Sequence, residues 1–400
     1  MLLKGLWRKG LAWISGLPGR LLAAVRASWK PLLVGAVAAL LLRAYVGDIY
    51  GVTKHSMEPT LHAAERGSDK VAVFKLAYLL GGPTRWDLCV YRRGGRGHYV
   101  VKRVVGLPGE YIQVDREGDL LVGASPSRLG LLRKSPEELL RLLVPLADLD
   151  RIPPTFPRDD QWEFDPGHWR WEEDRLVAVP PAQGAARFAY RGMPHQGYLG
   201  PDGVVRHAGR DVRDFGVQFR CRPLAGSSEL RILLTALDRE FLLDLRGGIL
   251  EVRADGRLVR RVESPALARG DAAAIRFVQA DRRLYLWVEG KVFTNDLAPW
   301  PPLPEGLDLV PRRSSLALEV RGGGMALAGL RVVRDLHYCK HSGTHGTAGG
   351  PEPLGEGEYF MLGDNSAMSE DSRHYGGVPS SWFVGSPLMV ILPLDRIRWL

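Results

Sequence analysis

The sequence predicts a mainly β chain standing behind one N-terminal transmembrane helix. Three observations carry this expectation. First, 28 prolines and 47 glycines cut the 400 residues into short elements. Second, from Asp211 onward, runs such as DFGVQFRCRPL, SELRILLTAL and ILEVRADGRLVRRVES alternate apolar with polar residues, the period of a half-buried strand. Third, one run near the N-terminus, PLLVGAVAALLLRAYVGDIYGV from Pro31, is apolar over Leu32 to Leu42.

The apolar run is expected to be a transmembrane anchor over 31–50. It is short for a span of about 20 residues unless Arg43 snorkels to an interface. Two other readings stay open: a cleavable signal sequence and a buried helix. Against cleavage, no small-x-small pattern leads into a polar mature start. Before Asp48 the chain has no acidic residue, whereas Lys4, Arg8, Lys9, Arg20, Arg26, Lys30 and Arg43 are basic. Residues 1–30 are therefore expected to be a basic cytosolic arm lying on an anionic membrane face, with everything past about 50 outside the cell membrane. Most of the net charge of +9 belongs to this arm. The remainder is close to neutral and gives no support for nucleic-acid binding.

Cys89, Cys221 and Cys339 are far apart and odd in number, so no disulfide framework can be read. His337, Cys339, His341 and His345 fit no zinc spacing and read as a solvated loop. No metal or cofactor is expected.

Four segments carry chemistry. His55-Ser56-Met57-Glu58-Pro59-Thr60-Leu61 follows the anchor. Asp69–Phe74 reads as a strand. In YVVKRVVGLPGE, from Tyr99, Lys102 sits in a β-branched run, sharing one strand face with Val100 and Val104 while Arg103 shares the other with Val101 and Val105. Finally YFMLGDNSAMSEDSR, from Tyr359, is a strand leading into a polar turn. A serine in a turn and a lysine facing water would be ordinary if each stood alone.

Taken together and in this order, the segments resemble the bacterial type I signal peptidases, a serine–lysine peptidase family. SMEPTL is similar to the nucleophile box, YVVKRVVGLPGE to the lysine box and FMLGDNSAMSEDSR to the C-terminal box. The resemblance covers roughly residues 31–123 and 355–400. It implies a β catalytic core in two parts, 51–123 and 355–400, with Ser56 as nucleophile and Lys102 as general base. A lysine can serve as base only when its amine is neutral, and burial against apolar neighbours favours that form. The resemblance also implies that Ser369 orients the amine and that the Ser56 amide donates to the oxyanion. By the same route Met57 lines the cleft, while Arg103, Asp371 and Arg373 brace the site. At Lys54 relatives carry Ser, Thr or Gly, so the second oxyanion donor is open. The implied substrates are preproteins with signal peptides, bound as an extended strand with small side chains one and three positions before the cut. The implied partner is the lipid bilayer, with one pass and a cytosolic N-terminus.

Residues 124–340 are an insertion. Tyr111 to Gly123 still reads as a core hairpin, and Ser135 to Arg141 as a short helix capped by Ser135 with Pro136 in its first turn. Residues 152–183 read as a loop–strand mixture. Regularly spaced strands over about 205–335 predict a β-sandwich, with turns at Ala254-Asp255-Gly256 and Glu289-Gly290. Their rhythm resembles concanavalin-like or laminin-G-like sandwiches. That likeness leaves a structural role, a protein ligand or a glycan ligand open. The second functional reading is a membrane-displayed binding protein whose sandwich acts on a peptidase-derived scaffold.

Overall fold

The structure is a computed structural model that describes residues 33–37, 40, 43, 46–63, 67–78, 81–95, 98–115, 118–151, 162–192, 195–200, 204–206, 212–236, 239–297, 314–338 and 343–400. Mainly β architecture is what it has. Among the described residues, no helix is long and apolar enough to cross a membrane. The expected basic arm 1–30 lies outside them, as do eight of the twenty residues of the expected anchor 31–50, and Cys339 and His341. The chain forms two compact units, one of residues 1–54, 62–101 and 379–400, the other of 55–61 and 102–378.

The first unit is an antiparallel sheet in the order Gly47–Gly51, Lys70–Phe74, Phe383–Leu392, Leu88–Arg92, with Arg398–Trp399 folded back on Phe383–Leu392. Val71 and Val73 alternate inward, as the period-two pattern requires, and pack with Leu88, Cys89, Val90 and Val390 in the core. Asp69 is fully buried and accepts from the His62 amide and Arg396 Nε. A set of large apolar side chains stays in contact with solvent: Ile49, Leu388, Leu394, Ile397 and Trp399.

The second unit contains the last residues of the strand Tyr99–Gly106, from Lys102, paired with Glu358–Leu362. A small sheet beside them orders Glu352–Pro353, Tyr111–Val114, Leu120–Gly123 and Gly130–Leu131. The helix Pro136–Leu142 starts from Ser135, whose hydroxyl accepts from the Glu138 amide while the Glu138 carboxylate accepts from the Ser135 amide. This reciprocal cap satisfies two of the otherwise unbonded donors at the helix start.

The insertion is a β-sandwich of two antiparallel sheets, of eight and seven strands. In the larger sheet, Met325–Arg334 and Phe215–Pro223 lie centrally; in the smaller, Glu229–Ala236 and Ser315–Arg321 do. Glu229–Ala236 buries every second residue, so Leu230, Ile232 and Leu234 meet Val217, Ile275 and Phe277 of the facing sheet. Hairpin turns of type I′ need positive φ at both central residues. Glu289 and Gly290 have φ of 51° and 78°.

The sandwich starts earlier in the chain than the expected 205. Val144–Asp148, Trp169–Glu172 and Arg175–Ala178 belong to the larger sheet, and Trp162–Phe164 and Ala186–Tyr190 to the smaller. These strands are three to five residues long and rich in Trp, with no sustained alternation. Their aromatic rings are what bind them: Trp162 and Trp169 both pack on Phe188, centroids 4.8 and 5.1 Å away.

Candidate active site

All seven residues singled out as catalytic or supporting lie in the second unit. Ser56 sits in the single turn His55–Met57, where Met57 is completely buried and its carbonyl accepts from the Leu61 amide at 2.9 Å. Lys102 is 1% exposed, and its Nζ lies 2.5 Å from Ser56 Oγ. The strand holds the lysine in place from both faces, because every residue from Lys102 to Gly106 is buried.

Three residues of the segment after Glu358–Leu362 pin the serine turn in place. The Asn365 amide donates to the Ser56 carbonyl at 3.0 Å, and Asn365 Nδ2 donates to the His55 carbonyl at 3.0 Å. Asp364 accepts from Arg103 Nε at 2.8 Å and from Arg103 Nη2 at 2.5 Å, and also from the Thr60 hydroxyl. One carboxylate thereby joins the lysine strand to the segment that follows the serine turn. Gly363 is the third residue. A Cβ there would stand 2.2 Å from Ser369 Oγ and 2.5 Å from the Ser56 carbonyl oxygen, so no larger residue fits.

Asp371 and Arg373 form a fully buried bidentate pair, with Nε to Oδ1 and Nη2 to Oδ2 both 2.8 Å. Burial pushes the Asp371 carboxyl up, but its bonds to Arg373 outweigh this and hold it below the usual carboxylate range. Asp371 also accepts from the Gly363 amide, and Arg373 donates to the Ser366 hydroxyl and carbonyl. The pair therefore shapes the turn that carries Gly363 and Asn365.

Ser369 departs from expectation. Its hydroxyl is buried with no hydrogen-bond partner, so the anticipated bond to Lys102 is not made. It also faces the Asp371 carboxylate without closing a bond of ordinary geometry. Lys54 is exposed and belongs to the first unit. Thr60, Gly363, Asp364 and Asn365 were not singled out as site residues from sequence, although three of them adjoin in the GDN turn.

A second candidate is a cluster of acids, Asp214, Asp281 and Asp335, close enough to share a cation. Lys134 already fills that role, its Nζ 3.0 Å from Asp281 Oδ1 and 2.6 Å from Asp335 Oδ2. Burial alone would lower the Lys134 amine, but Asp281 and Asp335 raise it well above the ordinary value.

The signal peptidase, peptidase S26, family model matches residues 26–153 and 331–392. Those segments contain every side chain of the serine–lysine arrangement described above. These two segments are what the chain shares with the signal peptidase family. Signal peptidase I of Bacillus licheniformis is 35% identical over 85 residues, 21% of this chain and 44% of the relative. Signal peptidase I T of Bacillus subtilis is 30% identical over 118 residues, covering 30% and 58%. Signal peptidase I of Pseudomonas aeruginosa is 30% identical over 156 residues, covering 32% and 52%. The chain spans about half the length of the curated relatives it matches. The sandwich falls largely in the gap between the two signal peptidase segments. The chain aligns over 43% of its length with the carbohydrate-binding module CBM66 from Bacillus subtilis, of which 94% is covered. The TM-score is 0.29 and the identity 8%, too low to establish the concanavalin-like fold.

Proposed function

We propose that this chain is a membrane-bound serine endopeptidase that removes N-terminal signal peptides from exported precursors with a Ser56–Lys102 dyad. The observation that carries the reading is a buried amine 2.5 Å from a serine hydroxyl. Taking an amine out of water favours its uncharged form, and only that form can accept a proton. Lys102 then takes the Ser56 proton as Oγ attacks the scissile carbonyl. The tetrahedral oxyanion is met by the Ser56 amide, and the resulting ammonium gives its proton to the leaving amine. Lys102 next draws a proton from water, which hydrolyses the acyl-enzyme and releases Ser56. The buried Ser369 hydroxyl is available to orient the amine as substrate closes the site.

The bilayer is the proposed partner of the first unit, whose exposed Ile49, Leu388, Leu394, Ile397 and Trp399 suit an apolar surface. Anchoring falls to residues 31–50, in one pass with the N-terminus cytosolic. The sandwich is proposed to be a concanavalin-like or laminin-G-like module with a structural or protein-contacting role.

The test is cleavage of a model precursor in detergent by the wild type, Ser56→Ala and Lys102→Ala. Both variants are expected to fall to background, and turnover surviving in either one removes the dyad.

A further inference from the structure

The insertion reaches into the nucleophile turn. Tyr198, on the short strand Tyr198–Leu199, is 1% exposed, and its hydroxyl donates to Glu58 Oε2. Glu58 is itself 4% exposed and stands two residues after Ser56. Its other oxygen, Oε1, lies 2.9 Å from His55 Nδ1. A single buried carboxylate is therefore gripped on one side by the residue preceding Ser56 and on the other by the insertion.

Tyr198 is in turn tied to the sandwich. The Gln196 and Gly197 carbonyls each accept from the Arg334 guanidinium at 2.8 Å, and Arg334 Nη1 donates to the Asp335 carbonyl at 2.7 Å. Arg334 ends Met325–Arg334, a central strand of the larger sheet, and is 2% exposed. Buried guanidinium groups bonded to carbonyls hold a backbone in one arrangement, since losing any bond strands a buried donor.

We propose that Tyr198 is a positioning residue for Ser56, and that the sandwich is a working part of the catalytic unit. The nucleophile turn is short and polar, and two sides fix it: the GDN turn holds its backbone, and Tyr198 holds Glu58. Deleting the tyrosine hydroxyl leaves Glu58 with one partner fewer. The turn then samples positions in which Ser56 Oγ is misplaced against Lys102, and a misplacement of about 1 Å is enough to cost activity. Binding of substrate elsewhere in the cleft is untouched.

The effect on turnover rests on the peptidase reading, whereas the effect on the turn does not. The experiment is Tyr198→Phe in the full chain in detergent, read by amide hydrogen exchange of residues 55–61 and by precursor cleavage. Exchange in 55–61 is expected to quicken. The kcat is expected to fall about tenfold with KM within twofold of wild type. Glu58→Gln is expected to act in the same direction by removing the charge-assisted bond, and the double variant to be no worse than Tyr198→Phe alone. Unchanged exchange in 55–61 in both single variants overturns the proposal. So does a raised KM with kcat intact, which would make Tyr198 a substrate contact. If the wild type cleaves nothing, the peptidase reading fails and the exchange result alone decides the role of Tyr198.

Discussion

Arg103 grips Asp364 through two parallel hydrogen bonds, and the same carboxylate accepts from Thr60 on the nucleophile turn. Both partners are buried, so removing one strands the charge of the other. Asp364→Ala is expected to destabilise the protein by about 3–5 kcal/mol in denaturant unfolding. Replacing Arg103 and Asp364 together by Met and Leu is expected to cost much less, because no unpaired ion remains. A double variant as unstable as Asp364→Ala would show that packing, rather than charge pairing, holds the turn.

Gly363→Ala tests how closely the C-terminal turn approaches Ser56. The added methyl would meet Ser369 Oγ at 2.2 Å, Ser369 Cβ at 2.7 Å and the Ser56 carbonyl oxygen at 2.5 Å. The first contact can rotate away; the third is backbone and cannot. Overpacking of this kind costs about 1–3 kcal/mol, and the displaced Ser56 should lower kcat about 100-fold. Trimming Ser369 as well is expected to leave most of the loss in place. Full recovery in Gly363→Ala/Ser369→Gly would place the crowding at Ser369 alone.

The site was legible in the sequence because its chemistry sits in short contiguous boxes. Ser56, Lys102 and the Asp371–Arg373 pair each lie within a run whose residue types and order are informative. What was not legible is the wiring between the boxes. The bond from the Asn365 amide to the Ser56 carbonyl joins backbone atoms about 300 positions apart in sequence, and the side chain that brings them together is the absent one of Gly363. Tyr198 lay hidden for a related reason. It sits on a two-residue strand, too short for any periodicity, and its partner Glu58 lies 140 positions away in sequence. The early sandwich strands blur in sequence into a loop–strand mixture over 152–183, because Trp162, Trp169 and Phe188 join them by ring contacts that leave no alternation signal.

Asp371 predicts how the turn after Glu358–Leu362 responds to acid. Its folded carboxyl is held below the ordinary value of 3.8, so the pair with Arg373 contributes stability that is complete above that value. The contribution is lost as pH falls through the depressed folded value. Unfolding of the wild type is expected to become steadily easier below about pH 4. Asp371→Asn is expected to be less stable at neutral pH by about 3–5 kcal/mol, with a flatter dependence below pH 4. Parallel acid profiles for the two proteins would assign the acid sensitivity to other carboxylates.

The cluster around Lys134 should respond to pH in the opposite sense. Asp115, Asp119, Asp214, Asp281 and Asp335 are bridged by Lys134, Arg213 and Arg282, so five carboxylates face three cations. Burial pushes Asp335 up to about 7 despite Lys134, and Asp115, Asp119 and Asp214 are raised in the same direction. For a group raised in the folded state, the stabilising contribution is complete below the unfolded value near 3.8 and is lost as pH rises through the folded value. The melting temperature of the second unit is therefore expected to decline as pH rises from 4 through about 7. Each kcal/mol lost moves it by about 2–4 °C. Asp335→Asn keeps the shape but cannot titrate, so it should flatten the upper part of that decline while Asp119 and Asp214 retain the rest. A wild-type melting temperature that climbs from pH 4 to pH 7 would mean that the three cations keep all five carboxylates ionised.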